Sequence, residues 1–480
     1  MSSAHTQRIP REEIEKQYHF MQEIASRNRQ KEAESGKKSY AQIRNFGCQM
    51  NEHDAEKIHG MLLSMGYETT DKSENADVVI FNTCCVRENA EEKVFGHLGA
   101  LKALKRNNPD MIIAVCGCMT EQPTIVEEIK KKYKNVDLVF GTHNLHRMPE
   151  LLHKCLNDNH RIYETSRTDK EVAEGLPIER ESDIKAWVTI MYGCDNYCSY
   201  CIVPYVRGHE RSRMPEDILD EIKKLGESGI QEITLLGQNV NSYGKDLENP
   251  VTFATLLDMI CTHTDIPRIR FMTSHPKDLS DELIDVMAKH KNICRQLHLP
   301  VQSGSSEILK RMNRRYDKEK YLSLVEKVRA KIPDIALSTD VIVGFPGESE
   351  EDFAETLDLF KKVRYDMAFT FIYSKRTGTP AATYPDQVPD DVVKDRFERL
   401  LATQNDICRE LNEACVGKTL DVLVEGISRT SDSHYTGRTD SNKIVNFRSD
   451  KDYTGKIIPI KITSAQTWSL EGVVPENIDL

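Results

Sequence analysis

Short apolar runs alternating with amphipathic helical runs restrict this chain most, and the alternation occurs twice. From Ser39 the order is "SYAQIRNFG", "HDAEKIHGMLLSMGY", "ADVVIFN", "NAEEKVFGHLGALKALKRN" and "MIIAVCG". That is a βαβαβ pattern, which requires a parallel sheet with helices packed on it. "VDLVFG" adds a further strand, and the unit is taken as residues 38–155. The pattern resumes on a larger scale over residues 184–415. Its candidate strands are "AWVTIMYG", "EITLLG", "RIRFMTS", "RQLHLPV", "IALSTDVIVGF" and "MAFTFIYS". Six β/α units are too few to close an eight-stranded barrel. Each strand nevertheless ends in polar, glycine-rich sequence, and functional groups collect at that end of such sheets.

The flanks read differently. Residues 1–37 are charged and mixed, with one possible short helix from Glu12 to Lys31, and are expected to form a mobile or loosely docked extension. Residues 156–183 read as a polar linker. "DDVVKDRFERLLATQNDICRELNEACVG" is one long amphipathic helix, and residues 416–480 turn to short alternating β runs with glycine turns, the signature of a small β-barrel.

The formal charge of -11 argues against a protein that simply coats nucleic acid, but it leaves room for a local basic site. No run approaches the roughly 18 apolar residues of a membrane span, and the charged N-terminus does not resemble a signal peptide. A cytoplasmic monomer without membrane contact is expected. Thirteen cysteines scattered through such a chain point to metal or redox work rather than a disulfide framework.

Cys194, Cys198 and Cys201 fall within "MYGCDNYCSYC", on a loop after the first strand of the second unit. Three soft thiolates suit an iron–sulfur cluster or zinc and leave one coordination position for a small molecule. The alternatives are incidental cysteines or a zinc site completed by His209. In the first unit Cys48, Cys84 and Cys118 each follow a different strand. Parallel strands deliver their C-terminal ends to one edge, so these three can converge, although buried structural cysteines are an equal reading. Cys85, adjacent to Cys84, and Cys116, two before Cys118, compete with them, and adjacent residues of a strand cannot both point at one cluster without a bend. Cys155, Cys261, Cys294, Cys408 and Cys415 are isolated and read as small hydrophobes.

"GCDNYCSYC" resembles the CxxxCxxC signature of the radical S-adenosylmethionine (SAM) enzymes, with Tyr200 before the third cysteine. "IVPYVRGHERSR", "LLGQNVNSYG", "SHPKDLSDEL", "LHLPVQSGSSEILKRMNRRY", "STDVIVGFPGESEEDF" and "FTFIYSKRTGTPA" resemble, in order, the methylthiotransferases of that superfamily, most closely the MiaB type. The resemblance covers about residues 39 to 475. It implies an α/β chain with a flavodoxin-like or Rossmann-like N-terminal domain, a central partial (β/α)6 radical SAM barrel and a C-terminal small antiparallel β-barrel, the TRAM module.

The resemblance further implies two [4Fe-4S] clusters. One, on Cys194, Cys198 and Cys201, would bind and reductively cleave SAM. The other, on Cys48, Cys84 and Cys118, would carry sulfur, with Cys85 a spectator. A second SAM would supply the methyl group. The implied substrate is N6-isopentenyladenosine at position 37, in the anticodon loop of tRNA, modified at C2. Flavodoxin or ferredoxin is the implied electron donor. Sister groups act on N6-threonylcarbamoyladenosine or on ribosomal protein S12, and a zinc-containing RNA-binding protein is the reading from another class. Gln238, Asn239, Ser274, Asp340 and Tyr200 are the implied cofactor contacts.

Neither "VGFPGE" nor "LLGQN" is a phosphate-binding glycine loop. Basic residues beside the strand ends instead suggest phosphates approaching the catalytic face. The RNA-binding candidates are Arg207, Arg211 and Arg213 after the cysteine loop, Arg311, Arg314 and Arg315 in "LKRMNRR", Arg376, and Arg438 in the C-terminal module. The apolar run "MAFTFIY" reads as core rather than as a pocket for the isopentenyl tail.

Overall fold

A computed structural model of the chain describes residues 5–85, 90–158, 160–165, 170–428 and 431–476. The N-terminal unit is built on a six-stranded, all-parallel sheet. Its spatial order is Glu68–Thr69, Tyr40–Asn45, Val78–Thr83, Ile112–Gly117, Leu138–Phe140, Ile162–Glu164. Numbered along the chain, that order is 2-1-3-4-5-6, so it reverses between Tyr40–Asn45 and Val78–Thr83. Ligands of open α/β sheets bind at the C-terminal side of such a reversal. Helices cover both faces, which gives two apolar clusters and explains why "VVIFNT" and "IIAVCG" are buried throughout. The sixth strand comes from residues expected to be linker, and Glu171–Val172 within the same stretch pairs with Gln7–Arg8.

The N-terminal segment is not loosely docked. A helix runs from Arg11 to Ser35 and buries Met21 and Ile24 in the apolar cluster of the sheet. Full burial of such side chains is worth about 1.5–3 kcal/mol each. Asn28 Nδ2 donates to the Met65 carbonyl at 2.9 Å, while Arg8 reaches the central unit at Asp217, 2.6 Å away. The segment thus straps the first two units together. Its buried face includes Gln17 and Asn28, so the apolar stripe that announces a docked helix is interrupted.

The central unit has six parallel strands in chain order: Lys185–Thr189, Glu232–Leu236, Arg268–Phe271, Gln296–His298, Ala336–Val343 and Met367–Ile372. Among the described residues a single bridge, Ile269 to Ile293, joins the first three to the last three. The first and sixth strands are free edges among the described residues, so the barrel is partial. Its helices pack against one large apolar cluster, and several start at side-chain caps, including Ser280, Asp317 and a capping box at Ser349.

Residues 419–473 form a closed five-stranded barrel. Four of its pairings are antiparallel, but Ile444–Arg448 pairs in parallel with Ser469–Val473. An odd number of strands cannot close a ring with every neighbour antiparallel, so one parallel contact is obligatory. This module sits at the N-terminal ends of the central strands. Arg268 and Arg270 donate to the carbonyls of Arg438, Asp421, Asp440 and Thr439 at 2.6–2.8 Å, and Lys443 pairs with Asp366 at 2.8 Å.

Candidate active site

Cys48 caps the start of the helix Gln49–Ser64, just beyond the first strand of the N-terminal sheet. Cys84 lies directly after Val78–Thr83, on the other side of the topological reversal, and Cys118 follows Ile112–Gly117. A polar brace sets these ends. Asn82 Nδ2 donates to the Asn51 carbonyl at 2.7 Å and to Asn45 Oδ1 at 3.1 Å, while Asn51 Nδ2 donates to the Thr83 carbonyl at 2.9 Å. Gly117 adopts φ +97, and a Cβ there would lie 2.3 Å from the Thr83 carbonyl oxygen, so only glycine lets the two strand ends approach.

The sulfur atoms are packed together. Cys48 shares a hydrogen bond with Cys84, which together with burial pushes its thiol well above the ordinary range. Cys118 is lowered, by a hydrogen bond with Cys85 first and then, against the cost of burial, by the Arg207 guanidinium. Cys85 therefore touches the group rather than facing away from it. Cys116 is turned to the opposite side of the strand, where it is buried in the apolar cluster with Ile80 and Phe140.

The central cysteines occupy one loop, closed at its base by the two-residue pairing of Met191–Tyr192 with Arg211–Ser212. Asn196 Nδ2 donates to Cys194 Sγ at 3.4 Å, and Arg314 Nη1 to Cys198 Sγ at 3.4 Å. Burial pushes the Cys194 thiol up to about 12, and burial with the neighbouring Cys198 and Cys194 does the same to Cys201, at about 12. Ligation by these thiols must release their protons.

Of the five expected cofactor residues, Tyr200 lies within this loop and Gln238 reaches the residue before Cys194. Gln238 Oε1 accepts from the Gly193 amide at 2.6 Å. Asn239 and Ser274 stand at the ends of adjacent strands, both buried, and Asn239 Oδ1 and Ser274 Oγ have no hydrogen-bond partner among the described residues. The Tyr200 ring is half-buried against Ile308, Met312, Phe345 and Ala381. Asp340 lies farther along the barrel interior, 3.5 Å from His298 Nε2. Backbone strain concentrates here, since Tyr197, Thr273, Gln302, Asn313 and Arg315 all have positive φ. Such conformations cost about 1–3 kcal/mol each and persist where the surroundings dictate them.

Half of the arginines expected to meet RNA are internal. Arg207, Arg211, Arg213 and Arg314 are only 4–5% exposed. Arg213 forks onto Glu174 and pairs with Glu221, each at 2.6 Å, while Arg211 bonds His143 Nδ1 at 2.8 Å. Arg314 holds the Pro300 carbonyl at 3.0 Å and Tyr316 at 2.9 Å besides Cys198. A buried guanidinium must be paired, and these pairs close the walls of the site rather than its surface. Arg315 is exposed; Arg311, paired with Asp386 at 2.6 Å, and Arg376 are half-buried. Arg438 pairs with Glu425 at 3.3 Å, on the module at the far end of the barrel.

The run "MAFTFIY" is not the core element its composition suggests, for Phe369 is 42% and Phe371 50% exposed. They stand on the free edge strand, in register with Asp340 and Ile342 on the interior face, and the Phe369 ring meets His298 edge-on at 5.8 Å. Sequence could not reveal this, because a strand's burial depends on whether a seventh strand covers it.

Among the described residues, no three His, Cys, Asp or Glu side chains form a group that could hold a single metal ion. A four-iron cluster instead takes each thiolate on a separate iron, and the all-sulfur donor sets at both sites fit that chemistry. The Asn239 and Ser274 oxygens, without a partner among the described residues, fit a polar ligand at the C-terminal ends of the second and third central strands. His209, the alternative zinc ligand, is turned to Asp195 at 2.7 Å.

Comparison with known proteins follows the same division. Residues 188–360 match the Radical SAM superfamily, residues 40–141 the Uncharacterized protein family UPF0004, and residues 413–474 the TRAM domain. The tRNA-2-methylthio-N(6)-dimethylallyladenosine synthase of Acetivibrio thermocellus is 57% identical over 463 residues, 96% of each chain. This chain belongs to that synthase family. The synthases of a Thermoanaerobacter species (53% identical, 98% of each chain) and of Clostridium botulinum (58%, covering 90% of this chain and 96% of the other) agree. Among solved structures, the radical S-adenosylmethionine methyltransferase TsrM from Kitasatospora setae shares the fold, with TM-score 0.53 and 16% identity, covering 72% of this chain and 73% of that one. No helix among the described residues is long and apolar enough to cross a membrane.

Proposed function

We propose that this member of the synthase family methylthiolates C2 of N6-isopentenyladenosine 37 in tRNA, using SAM twice. One observation carries the reading: the thiols of two separate sheets, each at C-terminal strand ends, stand on either side of a single junction. Residues 38–155 form the sulfur-carrying domain, 184–415 the radical domain and 416–480 the RNA module; 1–37 is an N-terminal extension whose described part ties the first two together, and 156–183 is the linker between them. Cys194, Cys198 and Cys201 hold one four-iron cluster and Cys48, Cys84 and Cys118 the other. The chemistry supplied by the bound clusters is an electron that splits SAM into methionine and a 5'-deoxyadenosyl radical, and sulfur for transfer.

Adenine C2–H is not acidic enough for a side-chain base, so the protein's work is to bind, orient and exclude water. Asn239, Ser274 and Gln238 orient SAM beside the cysteine loop. Arg314 fixes Cys198, and its charge, after burial, keeps His275 neutral. Phe369 and Phe371 offer the isopentenyl tail an apolar wall on the open side of the barrel, beside the His298–Asp340 pair. Arg311, Arg315 and Arg376 meet backbone phosphates. The enzyme works as a monomer with flavodoxin or ferredoxin as reductant. Its thirteen free thiols suit a reducing cytoplasm.

Purified anaerobic enzyme assayed on isopentenylated, threonylcarbamoylated and unmodified tRNA tests the proposal. Turnover confined to the isopentenylated form is expected. Preference for the threonylcarbamoylated form contradicts the substrate.

A further inference from the structure

Residue 207 belongs to the central domain, six positions after Cys201, yet its side chain ends in the N-terminal one. The short helix Val203–Arg207 closes the cysteine loop, and Ile202 and Val206 pack against Cys85 and Cys118. The Arg207 guanidinium then uses all three nitrogens on the other domain. Nε donates to Cys118 Sγ at 3.0 Å, Nη1 pairs with Asp54 Oδ2 at 2.8 Å, and Nη2 donates to Asn51 Oδ1 at 3.4 Å. The same Asn51 oxygen accepts from Cys48 Sγ at 3.5 Å. Arg211 Nη2 anchors the Arg207 carbonyl at 3.1 Å.

We infer that Arg207 is a positioning residue for the second cluster site: a fixed positive charge, supplied by the radical domain, that compensates the sulfur-bearing anion of the other domain and sets its redox balance. This rests on the reading that Cys48, Cys84 and Cys118 hold a cluster. An ordinary ion pair with Asp54 would need only one edge of the guanidinium. Here the remaining edge is spent on a sulfur, a weak acceptor as a thiol and a strong one when charged. In a buried site, where screening is slight, such a charge favours the more negative, reduced form of whatever the thiols hold. The segment 194–207 is therefore both the loop of one cluster and part of the wall of the other.

The test uses the full chain with Cys194, Cys198 and Cys201 changed to Ala, so that only the N-terminal cluster assembles, and follows its reduction by potentiometric EPR. Arg207→Met should shift the reduced-to-oxidised ratio at fixed potential about tenfold toward the oxidised form, about 59 mV for one electron. Arg207→Lys, which keeps the charge, should recover most of it. Asp54→Asn leaves the guanidinium uncompensated and should shift the ratio the opposite way, a sign reversal that general damage to the site does not produce. If Arg207→Met fails to fold, Asp54→Asn decides alone. An iron-loaded parent whose potential is unmoved by these substitutions, or moves in the same direction with Arg207→Met and with Asp54→Asn, overturns the inference. A parent without iron overturns the cluster reading beneath it.

Discussion

The two thiol sets are built in opposite ways. The central one is a local device: three cysteines within eight residues of one loop, pinned by Asn196, Arg314 and the short pairing beneath them. The N-terminal one exists only after folding, when three strand ends separated by whole helices meet at a sheet reversal. A local site survives damage elsewhere, whereas a convergent site depends on every element that brings it together. Loss at the two sites should therefore be separable, and unequal in its sensitivity to distant change.

The largest effect belongs to the local set. Cys198→Ala should reduce 5'-deoxyadenosine formation from SAM below detection while the N-terminal cluster still assembles. Normal SAM cleavage by the variant would break the assignment. Next comes the convergent set. Cys84→Ala should lose about half the iron and all methylthiolation, yet keep some SAM cleavage. Cys85→Ala should keep both clusters and most activity, although Cys85 touches Cys118. Equal damage from the two substitutions would exchange or merge their roles.

A smaller effect is expected at the edge strand. Each buried CH2 is worth about 0.8 kcal/mol, so removing the ring contact in Phe369→Ala should raise KM for isopentenylated tRNA roughly tenfold. Activity on SAM alone should be unchanged. A variant that loses kcat without any change in KM would remove Phe369 from the wall that binds the isopentenyl tail. Smallest of all, Arg315→Ala and Arg376→Ala should each weaken tRNA binding a few-fold. Each should also flatten the slope of log affinity against log salt by about 0.7 if the phosphate lies in a single-stranded loop. A slope unchanged in both removes them from the interface.

How much the sequence disclosed follows the same contrast. Periodicity exposed both parallel sheets, because strands buried on two faces read as uninterrupted apolar runs. The CxxxCxxC spacing exposed the local thiols. The convergence of Cys48, Cys84 and Cys118 was visible as a possibility, since each follows a strand, but their adjacency depends on strand order, which no local pattern encodes. Arginine was the least legible residue. In "YVRGHERSR" nothing separates a guanidinium bound for phosphate from one bound for Cys118 or Glu174, because the deciding partners lie far along the chain. The docking of the N-terminal helix escaped for a related reason: its buried face has the helical period, but Gln17 and Asn28 on that face are polar and find specific distant partners.

Iron counting on three reconstituted chains tests most directly whether two regions hold two clusters: the unaltered protein, the Cys194/Cys198/Cys201→Ala triple variant and the Cys48/Cys84/Cys118→Ala triple variant. With four irons per cluster, about eight irons and eight sulfides are expected per unaltered chain, and about four in each variant. About four in the unaltered chain, or eight retained after loss of either cysteine set, would contradict it.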